Sequence, residues 1–174
     1  MKKFNVMMLA VLLLLPVAGF ASAKKKAQKE MFQWRYEVEP TVGQAKQGMA
    51  MVKIWTYSKK AKVAVAQASK SAVHAIIFKG YVPAANGMRI QGQKPLITDF
   101  NAETEHEAYF KDFFSDGGKY QKFVTLVNNG TPGQGDIQKV GKEYKIGIVV
   151  VVAKDALRKE LESAGIVRSL GSGF

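Results

Sequence analysis

Two histidines, His74 and His106, are the side chains of this sequence best suited to acid–base catalysis or metal binding near neutral pH. His106 lies close in sequence to three acids, Glu103, Glu105 and Glu107. A zincin-type metal site would need a second histidine one helical turn away, and the segment around His106 has none. The spacing predicts no metal and no cofactor. The same spacing predicts that His106 lies at the edge of an aromatic core patch and that His74 lies on a solvated helix face.

Serine hydroxyls are the nucleophiles to consider next, because the sequence contains no cysteine. None of Ser58, Ser69, Ser71 and Ser115 lies in the Gly-x-Ser-x-Gly pattern of a nucleophile elbow. Ser172 is flanked by glycines but precedes no predicted helix. A pair of carboxylates on facing elements could still act in hydrolysis, since a sequence does not show which acids face each other. A small carboxylate-dependent hydrolase is therefore kept as an alternative.

Aromatic residues in the predicted strands could bind sugars by stacking. The candidates are Trp34 and Trp55, with Arg35 and Lys53 beside them as polar partners. At strand spacing, such residues are also typical of core packing and of cross-strand pairs. Two exposed and coplanar indole rings would indicate glycan binding, whereas two buried rings would indicate a role in the core.

Basic residues exceed acidic residues, 26 to 14, which gives a formal net charge of +12. The group predicted to contact an anionic surface consists of Lys59, Lys60, Lys62 and Lys70. The helix predicted over residues 59–78 places Lys70 on an exposed stripe with Gln67, Ser71 and His74. The alternative is a solvated face that serves only solubility. Nucleic acid is not expected as a partner, because no nucleic-acid-binding pattern is present.

Residues 1–23 have the three parts of a secretory signal peptide. Lys2 and Lys3 precede an apolar stretch, and residues 21–23 form a small-x-small cleavage site. Cleavage would remove two lysines and no acid, leaving a formal charge of +10 and a basic tail over residues 24–30. The lysines after the apolar stretch oppose translocation, so a retained membrane anchor is the alternative. The expected location is the periplasm or the outer membrane.

Hydrophobic periodicity predicts a single α+β domain over residues 31–167, followed by a flexible tail over 168–174. Predicted strands cover residues 32–38, 49–57, 119–127, 137–140 and 144–153. Predicted helices cover residues 59–78, 102–115 and 155–164, with Gly80 placed to end the first of them. We expect a mainly antiparallel sheet with about three helices packed on one side.

The densest apolar run, from Ile148 to Val152, predicts a strand that is covered on both faces. Such a strand needs helices against it. The residues expected to be buried together are Ile148, Val150, Val152, Val65, Ala68, Ala72, Ile76, Leu157 and Leu161.

Residues 48–164 resemble the small α+β envelope domains of bacterial secreted proteins. The resemblance lies in the strand at 50–57, the lysine-rich helix start, the run Ala64–Ala68 followed by Ala72-Val73-His74, and the late hairpin. Such domains include the N-terminal type of the Tol-Pal translocation protein and the curli-export and flagellar outer-membrane assembly types. The resemblance implies a non-enzymatic role in envelope assembly. Other envelope proteins or anionic glycan would be the partners, with peripheral membrane contact.

Overall fold

The computed structural model of the protein describes residues 34–41, 45–82 and 92–169. The predicted signal peptide and basic tail lie outside these ranges, as do residues 170–174 of the predicted C-terminal tail. The strands are β1 (Tyr36–Pro40), β2 (Ala50–Ser58), β3 (Val124–Leu126), β4 (Ile137–Val140) and β5 (Glu143–Val152). The α-helices are α1 (Ala61–His74), α2 (Ala102–Glu105), α3 (Glu107–Phe113) and α4 (Lys154–Ser163). Among these described helices, none combines the length and the apolar character needed to cross a membrane.

The strands form one antiparallel sheet in the order β1-β2-β5-β3, and β4 pairs with the opposite end of β5. Helix α1 packs against both β2 and β5, the two longest strands. Its alanines allow the close approach of helix and sheet, and Ala64, Ala68 and Ala72 are fully buried. The architecture confirms the predicted α+β class with an antiparallel sheet.

The central strands have one buried face and one half-exposed face. Buried and partly buried residues alternate along the whole of β2. Val52 and Ile54 lie opposite Val150 and Ile148 of β5, and all four are buried on the side of α1. The other side is named the open face here. It comprises Arg35, Glu37 and Glu39, the alternate β2 residues Met51, Lys53, Trp55 and Tyr57, and the alternate β5 residues Glu143, Lys145, Gly147, Val149 and Val151.

The predicted core is confirmed except at Val65, which is only partly buried at the edge of the cluster. The prediction that β5 is covered on both faces is wrong, because Val149 and Val151 are half-exposed on the open face. Valine suits an extended backbone whether or not its side chain is buried. An unbroken valine run therefore predicts a strand without showing how many of its faces are covered.

Helix α1 continues into a π-helical turn, Ala75–Lys79, which the sequence pattern did not reveal. The N–H groups of Leu96 and Ile97 donate to carbonyl oxygens inside this turn at 3.0 and 2.9 Å, so the chain after the helix is fastened to it. Gly80 ends the helix with a φ of 63°, at the position predicted.

Two further predicted elements differ in the structure. The helix expected over residues 102–115 is split at His106, whose φ of −110° and ψ of 29° are not helical. The strand expected over residues 119–127 is mostly a 3-10 helix, Lys119–Phe123, and only its end pairs as β3. Tyr120 and Phe123 are both buried. The 3-10 repeat of about three residues per turn brings both rings to the same side.

Candidate functional site

Three of the four lysines predicted to contact an anionic surface lie together and are exposed. Lys59, Lys60 and Lys62 occupy the turn after β2 and the first turn of α1. The hydroxyl of Ser58 accepts the N–H of Lys60 at 3.2 Å, which fixes this turn. None of the ion pairs in the described part of the chain involves these lysines, and the first turn of α1 contains no acid. This group is named the basic patch.

Lys70 does not belong to the basic patch. The prediction that it lies on an exposed stripe is wrong, because the residue is only 1% exposed. Its Nζ lies 5.6 Å from the centroid of the Tyr120 ring. Burial lowers the pKa of the Lys70 ammonium, and the nearby carboxylate of Asp116 partly offsets this shift.

The remainder of the predicted polar stripe, Gln67, Ser71 and His74, is buried as well. The covering residues are aromatic. The Phe114 ring lies 6.0 Å from the His74 ring and 6.0 Å from the Tyr120 ring, measured between centroids. Helix α1 therefore packs against the sheet and also against this aromatic segment, which is why its polar stripe is not solvated.

A polar cluster surrounds the buried ring of His74. The hydroxyl of Tyr36 lies 2.6 Å from Nδ1 of His74, and Nε2 of His74 lies 3.5 Å from Oε1 of Glu103. The indole ring of Trp34 stacks on the imidazole with ring centroids 3.8 Å apart, and its Nε1–H donates to Glu103 at 3.0 Å. These contacts join the entry to β1, the end of α1 and the start of α2.

The protonation of the cluster follows from burial. Burial lowers the pKa of His74, although the carboxylate of Glu103 opposes this shift. Burial also raises the pKa of the Tyr36 hydroxyl far above its ordinary value. Tyr36 therefore donates to Nδ1 of a neutral imidazole, which leaves the ring proton on Nε2, 3.5 Å from Oε1 of Glu103. The order Tyr36–His74–Glu103 resembles a nucleophile–base–acid triad. A substrate could not reach it, however, because Tyr36 is only 8% and His74 only 4% exposed. We interpret the cluster as structural.

The cluster is expected to make stability depend on pH. The unfolded chain binds a proton at the ordinary histidine pKa of about 6.5, whereas folded His74 resists protonation. Its contribution to stability is therefore fully present above about pH 6.5 and is lost as the pH falls toward the folded-state value. Glu103 and Lys79 are the charged groups that act on the ring. Urea unfolding between about pH 5 and pH 8 measures the effect.

Two variants isolate His74 in this experiment. His74→Gln keeps an acceptor for Tyr36 and a donor for Glu103 but does not titrate, so its stability is expected to vary less with pH. His106→Gln removes the other histidine, which lies outside the cluster, and serves as the matched control for the loss of a histidine. Equal slopes for His74→Gln and the wild type would contradict the account. The pKa of Glu103 is lowered by His74, so its own contribution is lost in a separate window, near and below its ordinary value of 4.5.

The two tryptophans do not form a coplanar pair. Trp34 is partly buried on the helix side of the sheet, against His74 and Phe114. Trp55 lies on the open face, next to Lys53 and Lys145. The two exposed and coplanar rings that would indicate glycan binding by both tryptophans are therefore not formed, because Trp34 precedes β1 with a φ of 40° and packs on the helix side. Trp55 alone is placed to meet a ligand.

Cations and carboxylates alternate on the open face. Its ion pairs are Arg35–Glu143 at 2.8 Å, Lys53–Asp136 at 2.9 Å and Lys145–Glu37 at 2.7 Å. The hydroxyl of Tyr57 donates to Glu37. The contact with Lys145, followed by that with Tyr57, lowers the pKa of Glu37, and the same carboxylate raises the pKa of the Tyr57 hydroxyl. Sequence alternation had placed Lys53, Trp55 and Tyr57 on one face but had not indicated these partners.

A shallow groove of about 560 Å³ runs between α1 and β3. Its lining consists of Ala66, Ser69, Tyr120, Gln121, Val124, Thr125, Leu126 and Asn129. The lining contains no carboxylate, which is the group that the hydrolase alternative requires. Sequence reasoning missed this groove, because it depends on the 3-10 segment that had been predicted as a strand.

The acids around His106 do not converge on a metal site. Glu103 belongs to the His74 cluster, and Glu105 and Glu107 are exposed. Among residues 34–41, 45–82 and 92–169, no group of three or more potential ligands could hold a metal ion.

The resemblance to small envelope domains stays a prediction. Comparison of the chain with known proteins found no matching family model, no matching curated protein and no matching solved structure.

Proposed function

We propose that this chain is a non-enzymatic secreted protein of the bacterial cell envelope, in the periplasm or at the outer membrane, which binds anionic envelope material through its basic patch. The partner chemistry is that of an acidic glycan, an acidic protein surface or an anionic lipid headgroup. The signal-peptide pattern of residues 1–23 supports the location.

The basic patch is the observation that carries this proposal. Lys59, Lys60 and Lys62 are exposed and make no ion pair within the described residues. They also surround the positive end of the α1 dipole, where each cation costs about 0.3–1 kcal/mol. An anionic partner would relieve this repulsion. The mature chain would also carry a formal charge of +10, which favours approach to a negative surface.

Removal of the patch charges is expected to abolish most envelope binding. Each lysine near an anionic surface contributes about 1 kcal/mol, so the triple substitution of Lys59, Lys60 and Lys62 by Gln should weaken binding by about 100-fold. Cosedimentation of the mature protein with purified envelope at low salt measures this loss. Mass spectrometry of the secreted protein should first show an N-terminus at Lys24.

Lys70 is left unchanged in this experiment, because it is buried and its substitution would change the packing. Wild-type binding by the triple variant would contradict the proposal and would leave solubility as the role of the basic patch. Circular dichroism of the triple variant confirms that its fold is intact.

A further inference from the structure

The indole ring of Trp55 lies on the open face, with one face of the ring against Gly147. Trp55 is paired with Gly147 across β2 and β5. A Cβ atom added to Gly147 would lie 3.1 Å from each of three carbons of the six-membered ring, Cε3, Cζ3 and Cη2. A point equally distant from three ring carbons lies on the axis through the ring centre. One face of the six-membered ring therefore lies against Gly147, and the opposite face is turned away from that residue.

Neighbouring strands hold the ring in this orientation. The Nε1–H of Trp55 donates to Oε2 of Glu39 in β1 at 2.6 Å. The ammonium groups of Lys53 and Lys145 lie 5.5 and 5.2 Å from the ring centroid. Each ammonium is held by a carboxylate of its own. The ring is therefore an apolar surface surrounded by fixed hydrogen-bond donors and acceptors.

The charge of the open face indicates what kind of ligand would suit it. Each of its three cations, Arg35, Lys53 and Lys145, is already paired with a carboxylate. Glu39 adds a further carboxylate, so among the described residues of this face no cation is left over for an anionic ligand. This balance differs from that of the basic patch, whose lysines have no such partners in the described part of the chain. The face suits a neutral ligand with hydroxyl groups.

We propose that Trp55 and its surrounding charged groups form a binding subsite for a neutral pyranose ring. The C–H face of the sugar would stack on the outward face of the indole, as expected for contact with the negative face of an aromatic ring. Its equatorial hydroxyls would donate to carboxylates such as Glu39 and accept from Lys53 and Lys145. The subsite is separate from the basic patch and does not depend on its proposed function.

A titration with a neutral trisaccharide of N-acetylglucosamine tests the subsite. The wild-type chain has two indole N–H groups, which give two resolvable NMR signals. The signal of Trp55 is expected to shift in a saturable way, while the signal of Trp34 stays in place because that ring packs against His74. A Trp34→Phe variant assigns the two signals. The absence of a saturable shift at millimolar trisaccharide would overturn the proposal.

Two variants separate binding from folding. Trp55→Ala should weaken trisaccharide binding by at least about tenfold in calorimetry. Gly147→Ala keeps every polar group but requires the ring to shift by a few tenths of an ångström, so it should weaken binding less than Trp55→Ala does while circular dichroism stays unchanged. Equal affinity of Trp55→Ala and the wild type would overturn the proposal, and a lowered melting temperature alone would show that the ring only shields the glycine. The variant of the basic patch should retain trisaccharide binding.

Discussion

Replacing Val150 with aspartate is expected to lower the free energy of unfolding by about 4 kcal/mol, because it buries a carboxylate without a partner. Val150 is 0% exposed and lies in the central strand β5. Its partners on the neighbouring strands are Val52 on one side and Leu126 on the other, and neither offers a charged or polar group to the carboxylate. Urea denaturation followed by circular dichroism measures the loss.

Val151→Asp is the matched control for this substitution. Val151 is the next residue of the same strand, but its side chain lies on the open face and is half-exposed. The same chemical change is expected to cost only about 1 kcal/mol there, since the carboxylate reaches water. Equal losses for the two variants, or a Val150→Asp protein as stable as the wild type, would show that α1 does not cover this face of β5.

Replacing Gly80 with alanine is expected to destabilise the protein by about 3 kcal/mol. Its φ of 63° and ψ of −163° lie in a region that is open to glycine almost alone. An added Cβ would also lie 2.2 Å from the carbonyl oxygen of Gln93 and 2.8 Å from the nitrogen of Pro95. Both neighbours are backbone atoms of a segment that is hydrogen-bonded to the π-helical turn, so neither can move away easily. Thermal unfolding measures the loss.

Gly141→Ala separates the backbone effect from the clash. Gly141 has a similar φ of 61°, in the turn between β4 and β5, but an added Cβ there would meet no atom within 4 Å. Its cost is expected to be about 1 kcal/mol, from backbone strain alone. If Gly80→Ala were no more harmful than Gly141→Ala, the segment after α1 would not pack against the helix end as described.

Periodicity in the sequence predicted those elements whose side chains meet the core in a regular pattern. The alternation at Val52, Ile54 and Thr56 predicted β2 correctly, because each strand residue faces the side opposite to its neighbour. The helix face at Ala68, Ala72 and Ile76 was predicted from spacings of four residues, which return to the same side of a helix. The 3-10 segment at 119–123 was not predicted, because its structure depends on the packing of the Tyr120 and Phe123 rings in the core.

The environment of the polar residues could be predicted only in part. Lys70 and His74 follow helical spacing that is typical of a solvated stripe, and nothing local indicates that Phe114 and Tyr120 cover it. The opposite placement of Trp34 and Trp55 also depends on tertiary structure, since Trp34 precedes β1 with a φ of 40°. Lys59 and Lys60 were expected inside the helix, but they lie in the turn before it and are exposed, as is typical of a turn between a strand and a helix. Their contact with an anionic surface stays a prediction.

Whether the basic patch binds the envelope is tested by the salt dependence of envelope binding, compared between two variants of equal net charge. One variant replaces Lys59, Lys60 and Lys62 by Gln, and the other replaces Lys122, Lys139 and Lys142, which are exposed elsewhere. Screening weakens contacts between exposed charges as salt rises. If the basic patch binds the envelope, the second variant keeps the wild-type affinity and its steep loss with salt, whereas the first binds weakly and almost independently of salt. The same affinity and salt dependence in both variants would contradict the proposal.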